Sequence, residues 1–89
     1  MIKSSITISN RLGLHARASA KLTKLAGGFN CDVHLTRNGR RVNAKSIMGV
    51  MMLAAGKGAR VVVDCEGDSA EEALAAITAL VAEKFGEDE

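Results

Sequence analysis

Two spacings of apolar residues follow one another along this chain, and their order restricts the fold more than any other feature. Apolar and polar residues alternate, as in half-buried strands, in residues 2–9, 32–36, 41–44 and 60–66. Apolar residues recur every three or four positions, as in amphipathic helices, in residues 16–28, 46–51 and 69–85. The order β-α-β-β-α-β-α predicts an α+β fold with one sheet, helices on one face and water on the other.

Local signals predict where several of these elements begin and end. Asn38-Gly39 is the strongest two-residue hairpin signal, so the second and third strands should pair directly. Gly27-Gly28 lies where a left-handed C-cap commonly ends a helix. Ser46 is placed to N-cap the short second helix, and Ser69-Ala70-Glu71-Glu72 predicts a capping box for the last helix. The final residues, Glu87-Asp88-Glu89, are expected to fray.

The composition excludes several classes of protein. A chain of 89 residues with 47% hydrophobic and 2% aromatic residues predicts one domain, residues 1–89, with an aliphatic core. A net charge of +2, with basic residues spread among acidic ones, argues against nucleic acid as a partner. The sequence has no signal region and no segment approaching the ~20 apolar residues that span a bilayer, so we expect a cytoplasmic protein without a membrane partner. Cys31 and Cys65 lack metal-ligand spacing and should be reduced and buried, so neither metal nor cofactor is predicted.

The segment Gly13-Leu14-His15-Ala16-Arg17 carries the chemistry that the sequence predicts. It lies where a strand gives way to a helix, so the imidazole of His15 should lie beside unpaired N–H groups of the first helical turn. The helix dipole favours negative charge there by roughly 0.3–1 kcal/mol and disfavours imidazolium, which leaves a nitrogen lone pair for attack. Arg17 adds a permanent cation suited to phosphate oxygens. Together these residues predict a histidine that accepts a phosphoryl group.

Other features distinguish this site from the active centre of an enzyme. The sequence has no glycine-rich nucleotide loop, and neither paired carboxylates nor a second base are expected near His15. The chain should therefore be a substrate of enzymes and not an enzyme itself. The second histidine, His34, lies mid-strand on the polar face and is expected to be a solvated surface residue.

Two motifs resemble those of a known family. Residues 13–17, followed later by Ala44-Lys45-Ser46-Ile47-Met48-Gly49-Val50-Met51, are similar to HPr, the histidine phosphocarrier of the phosphoenolpyruvate-dependent phosphotransferase system. The resemblance covers nearly the whole chain and implies a monomeric, open-faced β-sandwich with three helices on one face of a four-stranded antiparallel sheet of order 1-4-2-3. That order would place the strands of Cys31 and Cys65 side by side, with both residues facing inward. It also implies that His15 accepts a phosphoryl group on Nδ1 from Enzyme I and donates it to an Enzyme II A-type domain.

The resemblance assigns further residues to the site. Arg17 and the backbone amides of Ala16 and Arg17 match the family's phosphate-stabilising positions. The family usually has proline where this chain has Ala18. A residue before proline is kept away from helical angles, and Arg17 is free of that restraint. We therefore expect Arg17 to point away from His15 in the free protein at least as often as toward it.

Ser46 has two interpretations. As a plain N-cap it would stabilise the helix by about 0.5–2 kcal/mol. Its Lys-Ser-Ile-Met-Gly surroundings also resemble those of HPr proteins that a dedicated serine kinase/phosphorylase modifies. A phosphate there would add about −1.5 to −2 charge, which a helix N-terminus tolerates and an acidic partner surface repels. The hypothesis is that this modification slows transfer to His15 without refolding the domain.

A methionine-rich turn follows Ser46. Core packing is the first explanation for its methionines in so short a chain. The resemblance implies instead that the exposed members dock against Enzyme I and the acceptor, with Met48 the first choice and Met52 the second. The docking set is Met48, Gly49, Met51 and Met52. The residues that helical spacing places on one face are Ile47, Val50 and Met51.

Two other functions stay open at this point. A purely regulatory member of the same family would use the phosphorylation state of His15 or Ser46 as its output, read by nitrogen or carbon regulators instead of sugar permeases. A small RNA-binding domain would need no role for His15, and its binding would fall steeply with salt.

Overall fold

The computed structural model describes residues 1–88 and contains the elements that the apolar spacing predicts. Its strands are β1 (Ile2–Thr7), β2 (Cys31–Arg37), β3 (Arg40–Asn43) and β4 (Arg60–Gly67). Its helices are α1 (Ala16–Gly27), α2 (Ile47–Met51) and α3 (Ala70–Ala82), and a C-terminal turn follows at Lys84–Gly86. The predicted order β-α-β-β-α-β-α is therefore confirmed.

The strands form one antiparallel sheet in the order β1-β4-β2-β3. Val63 at the centre of β4 lies opposite Ser4 of β1 and Leu35 of β2. Asn38 and Gly39 join β2 to β3 with φ angles of 51° and 80°, as the predicted type of hairpin turn requires. The sheet order implied by the family resemblance and the hairpin signal are both confirmed.

The hydrophobic core lies between one face of the sheet and the helices, with α3 packed on β1, β2 and β4. Its largest fully buried side chains include Phe85, Ile8, Leu22, Leu35, Ile77 and Val33. The predicted aliphatic core is therefore present, with one buried aromatic ring contributed from beyond the end of α3. No helix within residues 1–88 is both long enough and apolar enough to cross a membrane.

Two predicted helix ends differ from the structure. Gly28, after α1, has φ −81° and ψ −4°, so it ends the helix in a right-handed conformation and not the left-handed one expected. The capping box predicted for α3 does not form, because the Ser69 side chain makes no cap hydrogen bond. Ser69 has ψ 25°, whereas a capping side chain needs an extended backbone. Its carbonyl oxygen nevertheless accepts from the Ala73 N–H at 2.9 Å.

The outer face of the sheet is open to water, as predicted, except around Asp64. This carboxylate is 6% exposed and accepts hydrogen bonds of 2.8 and 3.3 Å from Arg41. His34 lies opposite Asp64, with its Nδ1 atom 3.9 Å from a carboxylate oxygen and its side chain 26% exposed. His34 lies on the outer face, as expected, but it is only partly solvated, since its Nδ1 atom is buried.

Cys31 and Cys65 are free, buried thiols on neighbouring strands, as predicted. Cys65 lies opposite Val33, two residues from Cys31, so the two cysteines are diagonal neighbours on the inward face. Burial, and to a smaller extent the neighbouring Cys31, raises the pKa of the Cys65 thiol.

Candidate functional site

The loop before α1 is held in place by a close approach between two backbone segments. Gly13 has φ +67°, and a Cβ atom there would lie 2.4 Å from the Ala55 carbonyl oxygen, so the position requires glycine. The next residue, Leu14, is buried and donates its N–H to that same Ala55 oxygen at 2.8 Å. This anchor fixes where His15 enters the helix.

His15 is the N-cap residue of α1, as the sequence predicts. Its backbone is extended, with φ −73° and ψ 179°, and its carbonyl oxygen accepts from the Ser19 N–H at 2.8 Å. Its side chain makes no cap hydrogen bond. Within residues 1–88 the N–H groups of Ala16, Arg17 and Ala18 have no hydrogen-bond acceptor. The first turn of α1 therefore presents unpaired donors and the positive end of the helix dipole beside the imidazole.

Glu87 occupies the other side of the imidazole ring, which the sequence analysis missed. Its Oε2 atom lies 2.8 Å from His15 Nε2, and its Oε1 atom accepts from the Asn10 side-chain amide at 3.2 Å. The hydrogen bond from His15, aided by Asn10 and by the positive charge of Lys21, lowers the pKa of the Glu87 carboxyl against the opposing effect of burial. Two expectations are thereby wrong: Glu87 is not frayed, and a carboxylate does lie near His15. Asp88 lines the same cavity, and Glu89 lies outside the described residues.

Three consecutive residues with positive φ angles bring Glu87 back to His15. Lys84, Phe85 and Gly86 have φ of 56°, 56° and 77°, which costs about 1–2 kcal/mol for each residue other than glycine. Phe85 is 1% exposed, so its burial in the core holds the turn in place. Lys21 on α1 donates to the Phe85 carbonyl oxygen at 2.6 Å and closes the turn from the opposite side. The helical spacing predicted Phe85 as an apolar position of the last helix. Phe85 is buried, but α3 ends at Ala82, and no sequence signal indicated the direction of the chain after it.

His15 opens onto a cavity of about 450 Å³ lined by Arg11, Leu12, His15, Arg17, Glu87 and Asp88. The Arg17 side chain is exposed and forms no hydrogen bond or ion pair with residues 1–88. It thus shares the cavity with His15 without being bound to it. The expectation that Arg17 points away from His15 in the free protein at least as often as toward it stays a prediction.

Ser46 is the N-cap residue of α2, as predicted. Its hydroxyl oxygen accepts from the Gly49 N–H at 3.1 Å, and its side chain is exposed. A Cβ atom on Gly49 would lie 3.3 Å from that hydroxyl oxygen and 3.4 Å from the Val42 side chain, so glycine leaves room for the cap. The hydroxyl is thus accessible to solvent while it caps α2.

The methionines after Ser46 lie on the surface and not in the core. Met48, Met52 and Met51 are exposed by 70%, 58% and 39%. Ile47, Val50 and Met51 share one face of α2, as predicted, but only Val50 is buried, since Ile47 is 43% exposed. A helix of five residues has one side against the molecule, and here that side takes a single apolar residue. We refer to Ile47, Met48, Met51 and Met52 as the methionine surface.

Comparison with known proteins identifies the family. Residues 2–83 match the family model described as the PTS HPr component phosphorylation site. The chain is 58% identical to the phosphocarrier protein HPr of Cupriavidus necator over 89 residues, which is 100% of both chains. The chain belongs to the HPr family. Its structure superposes on a crystal structure of HPr-C-His from Thermoanaerobacter tengcongensis with a TM-score of 0.97 at 40% identity, covering 100% of both chains.

The HPr family contains carriers with different names and assembly states. The phosphocarrier protein NPr of Shewanella violacea is 40% identical over 86 residues, which is 97% of this chain and 94% of that protein. An HPr dimer from Thermoanaerobacter tengcongensis matches with a TM-score of 0.79 at 41% identity, covering 98% of this chain and 100% of that chain. The higher identity to HPr does not favour a purely regulatory role. The expected function, a phosphoryl carrier of the phosphotransferase system, is confirmed.

Proposed function

We propose that His15 is the residue on which this carrier holds its phosphoryl group, received from Enzyme I and passed to an Enzyme II A-type domain. One observation carries the proposal: His15, with a partly exposed imidazole, is the N-cap residue of α1, where the N–H groups of Ala16, Arg17 and Ala18 are unpaired. Those groups can donate hydrogen bonds to oxygens of a phosphoryl group bonded to the ring without any rearrangement of the helix.

Phosphoryl transfer depends on in-line placement and on stabilised oxygens more than on covalent chemistry from the protein. In this proposal the amides of Ala16 and Arg17 bind phosphoryl oxygens, and the unbound Arg17 side chain turns onto them when the group arrives. A carrier must also release its group, so a mobile arginine and a helix dipole suit the task better than a deep pocket. The relay needs no cofactor.

The expected docking set of Met48, Gly49, Met51 and Met52, to which the exposed Ile47 of the methionine surface is added, is the proposed docking site for both partners. Its side chains are exposed, and helix α2 packs against α1, which begins at His15. Leu12, exposed by 58%, lines the His15 cavity and supplies apolar contact beside the reactive ring. Flexible methionine side chains can fit two different partner surfaces in succession. We further propose that the carrier acts as a single-domain monomer in the cytoplasm, and light scattering at micromolar concentration tests the assembly state.

Phosphorylation of Ser46 by a serine kinase/phosphorylase is the proposed control of this relay. The exposed hydroxyl lies one residue before the methionine surface, so a phosphate would place negative charge within the docking site. A Ser46→Asp variant that received phosphoryl groups from Enzyme I at the wild-type rate would contradict this role.

Incubation with phosphoenolpyruvate and Enzyme I tests the main proposal. The wild-type protein should gain one acid-labile, base-stable phosphate, and His15→Ala should gain none. His34→Ala is the matched control, because His34 is the second histidine in the chain and lies on the outer face of the sheet. A phosphate that remains on His15→Ala, or that disappears from His34→Ala, would contradict the assignment.

A further inference from the structure

The contact between His15 and Glu87 joins two segments 72 residues apart, and no part of the proposed transfer accounts for it. The carboxylate is held from several sides: Oε2 faces His15 Nε2 at 2.8 Å, and Oε1 accepts from Asn10. Asn10 is itself fully buried and donates to the Gly13 carbonyl oxygen at 2.8 Å. Glu87 is therefore built into the loop that carries the reactive residue.

We propose that Glu87 is a positioning residue that keeps the proton of the neutral His15 ring on Nε2 and leaves the lone pair of Nδ1 free for attack. This inference rests on the proposed function of His15 and specifies how its ring is prepared. An ionised carboxylate has acceptors only, so it can bond Nε2 when that nitrogen carries hydrogen. The alternative tautomer would bring the Nε2 lone pair within 2.8 Å of a carboxylate oxygen, and the two would repel.

In this proposal the hydrogen bond between His15 Nε2 and Glu87 persists throughout the transfer. The Nδ1 lone pair attacks phosphorus, the new N–P bond forms, and the bond between phosphorus and the donor atom of Enzyme I breaks with its electron pair returning to that atom. The hydrogen on Nε2 stays in place, so the phosphorylated His15 ring carries a positive charge next to its dianionic phosphoryl group. A carboxylate at Nε2 stabilises that ring charge and keeps the ring able to leave as neutral imidazole in the next transfer.

The strained turn at Lys84–Gly86 fixes the position of Glu87 relative to His15. Lys84 and Phe85 hold positive φ angles that cost free energy, and the burial of Phe85 and the bond from Lys21 offset that cost. Glu87 thus reaches His15 from a fixed turn and not from a loose tail. The other charged groups that face it, on α1 and around the cavity, are Lys21, Arg11, Arg17 and Asp88.

Nitrogen-15 NMR of the His15 ring tests the tautomer directly in the full-length protein near pH 8. The wild-type ring should give the signals of a single tautomer with hydrogen on Nε2. In Glu87→Ala a clear fraction should carry hydrogen on Nδ1, and Glu87→Gln should lie between, because its amide can both accept and donate. Asp88→Asn removes the same charge from the same cavity and should keep the wild-type spectrum.

Phosphorylation by Enzyme I and phosphoenolpyruvate supplies the second measurement. Glu87→Ala should react roughly fivefold more slowly, the loss expected for one partly exposed charge-assisted hydrogen bond, while Asp88→Asn should keep the wild-type rate. Glu87→Gln keeps the size of the side chain, so it tests the idea even if Glu87→Ala disturbs the turn. An unchanged tautomer, or a rate that is unchanged or raised, would overturn the role of Glu87 while leaving the His15 assignment intact. Failure of the wild-type protein to be phosphorylated on His15 would instead overturn the proposed function.

Discussion

Two helix N-termini of this protein carry its candidate phosphorylation sites. They differ in whether a side chain caps the backbone N–H groups of the first helical turn. At α2 the Ser46 hydroxyl accepts from the Gly49 N–H at 3.1 Å, so the residue satisfies its own helix. At α1 the His15 side chain turns to Glu87, and the N–H groups of the first turn stay unpaired. One terminus is capped by its own side chain, whereas the other keeps unpaired donors, which the proposed function assigns to an anion.

The comparison indicates that an open helix end has a cost in stability. An N-cap side chain is worth about 0.5–2 kcal/mol, and α1 forgoes it because histidine reaches away from its own helix. Under the proposed function, a phosphoryl group on His15 accepts hydrogen bonds from this open end. A serine at the same position would accept a hydrogen bond from the first turn of α1, but it would remove the imidazole that is proposed to accept the phosphoryl group.

Replacing His15 with serine should have the largest effect on activity. His15→Ser should abolish phosphoryl transfer, yet it should exceed His15→Ala in free energy of unfolding by about 0.5–2 kcal/mol, because the new hydroxyl caps α1. Urea unfolding and the Enzyme I assay measure the two effects. Equal stability of the two variants would show that the N–H groups of α1 are not available to a cap.

Disturbing the anchor of the open terminus should have the largest effect on stability. Gly13→Ala combines a positive φ angle with a contact of 2.4 Å to the Ala55 oxygen. We expect a loss of roughly 2–5 kcal/mol in urea unfolding, from strain and overpacking together. Gly39→Ala is the matched control: it has φ +80° and no atom within 4 Å, so it should lose only about 1–2 kcal/mol. Similar losses in both variants would contradict the packing argument.

Removing the closed cap should have a smaller effect. Ser46→Ala should lower the free energy of unfolding by about 0.5–2 kcal/mol, because the Gly49 N–H loses its acceptor. Ser46→Asp should keep most of the stability, since aspartate is an equally good N-cap, while it slows transfer from Enzyme I. A thermal melt and the transfer assay separate the two consequences. Loss of stability in Ser46→Asp equal to that in Ser46→Ala would argue against the capping role.

The smallest expected difference between the two termini is in how the pH changes their contributions to the free energy of unfolding. The pKa of Glu87 is lowered in the folded protein, mainly by its bond with His15, so the ionised carboxylate stabilises the fold above the ordinary glutamate pKa of about 4.3. This contribution should fade as the pH falls through the lowered pKa. The stability difference between wild type and Glu87→Gln should therefore shrink between pH 6 and pH 3, whereas that of Ser46→Ala should not. A difference for Glu87→Gln that is constant over this range would contradict the contact.

Three signals that are local in sequence predicted the structure correctly, whereas the C-cap at Gly28 and the capping box at Ser69 did not. The hairpin at Asn38-Gly39, the cap at Ser46 and the position of His15 at the start of α1 each depend on a few neighbouring residues. The capping box at Ser69 failed although it is also a local signal, because the backbone there has ψ 25° and not the extended angle that the motif needs. A local motif thus predicts the structure only where tertiary packing allows the backbone angles that the motif needs.

The contacts that Glu87 makes with distant residues could not be predicted. Glu87 was expected to fray because nothing near it in the sequence marks a partner, and its bonds reach back to His15 and Asn10. The exposure of Met51 could not be predicted either, since helical spacing indicates which residues share a face but not which neighbours cover that face.

The sequence by itself determined the order of elements, the helix start at His15 and the family, because apolar periodicity, turn residues and short motifs are encoded locally. Only the tertiary structure decided that a glutamate would orient the imidazole. That contact forms because Phe85 is buried in the core and turns the chain back toward α1, and burial is a property of the packed molecule as a whole.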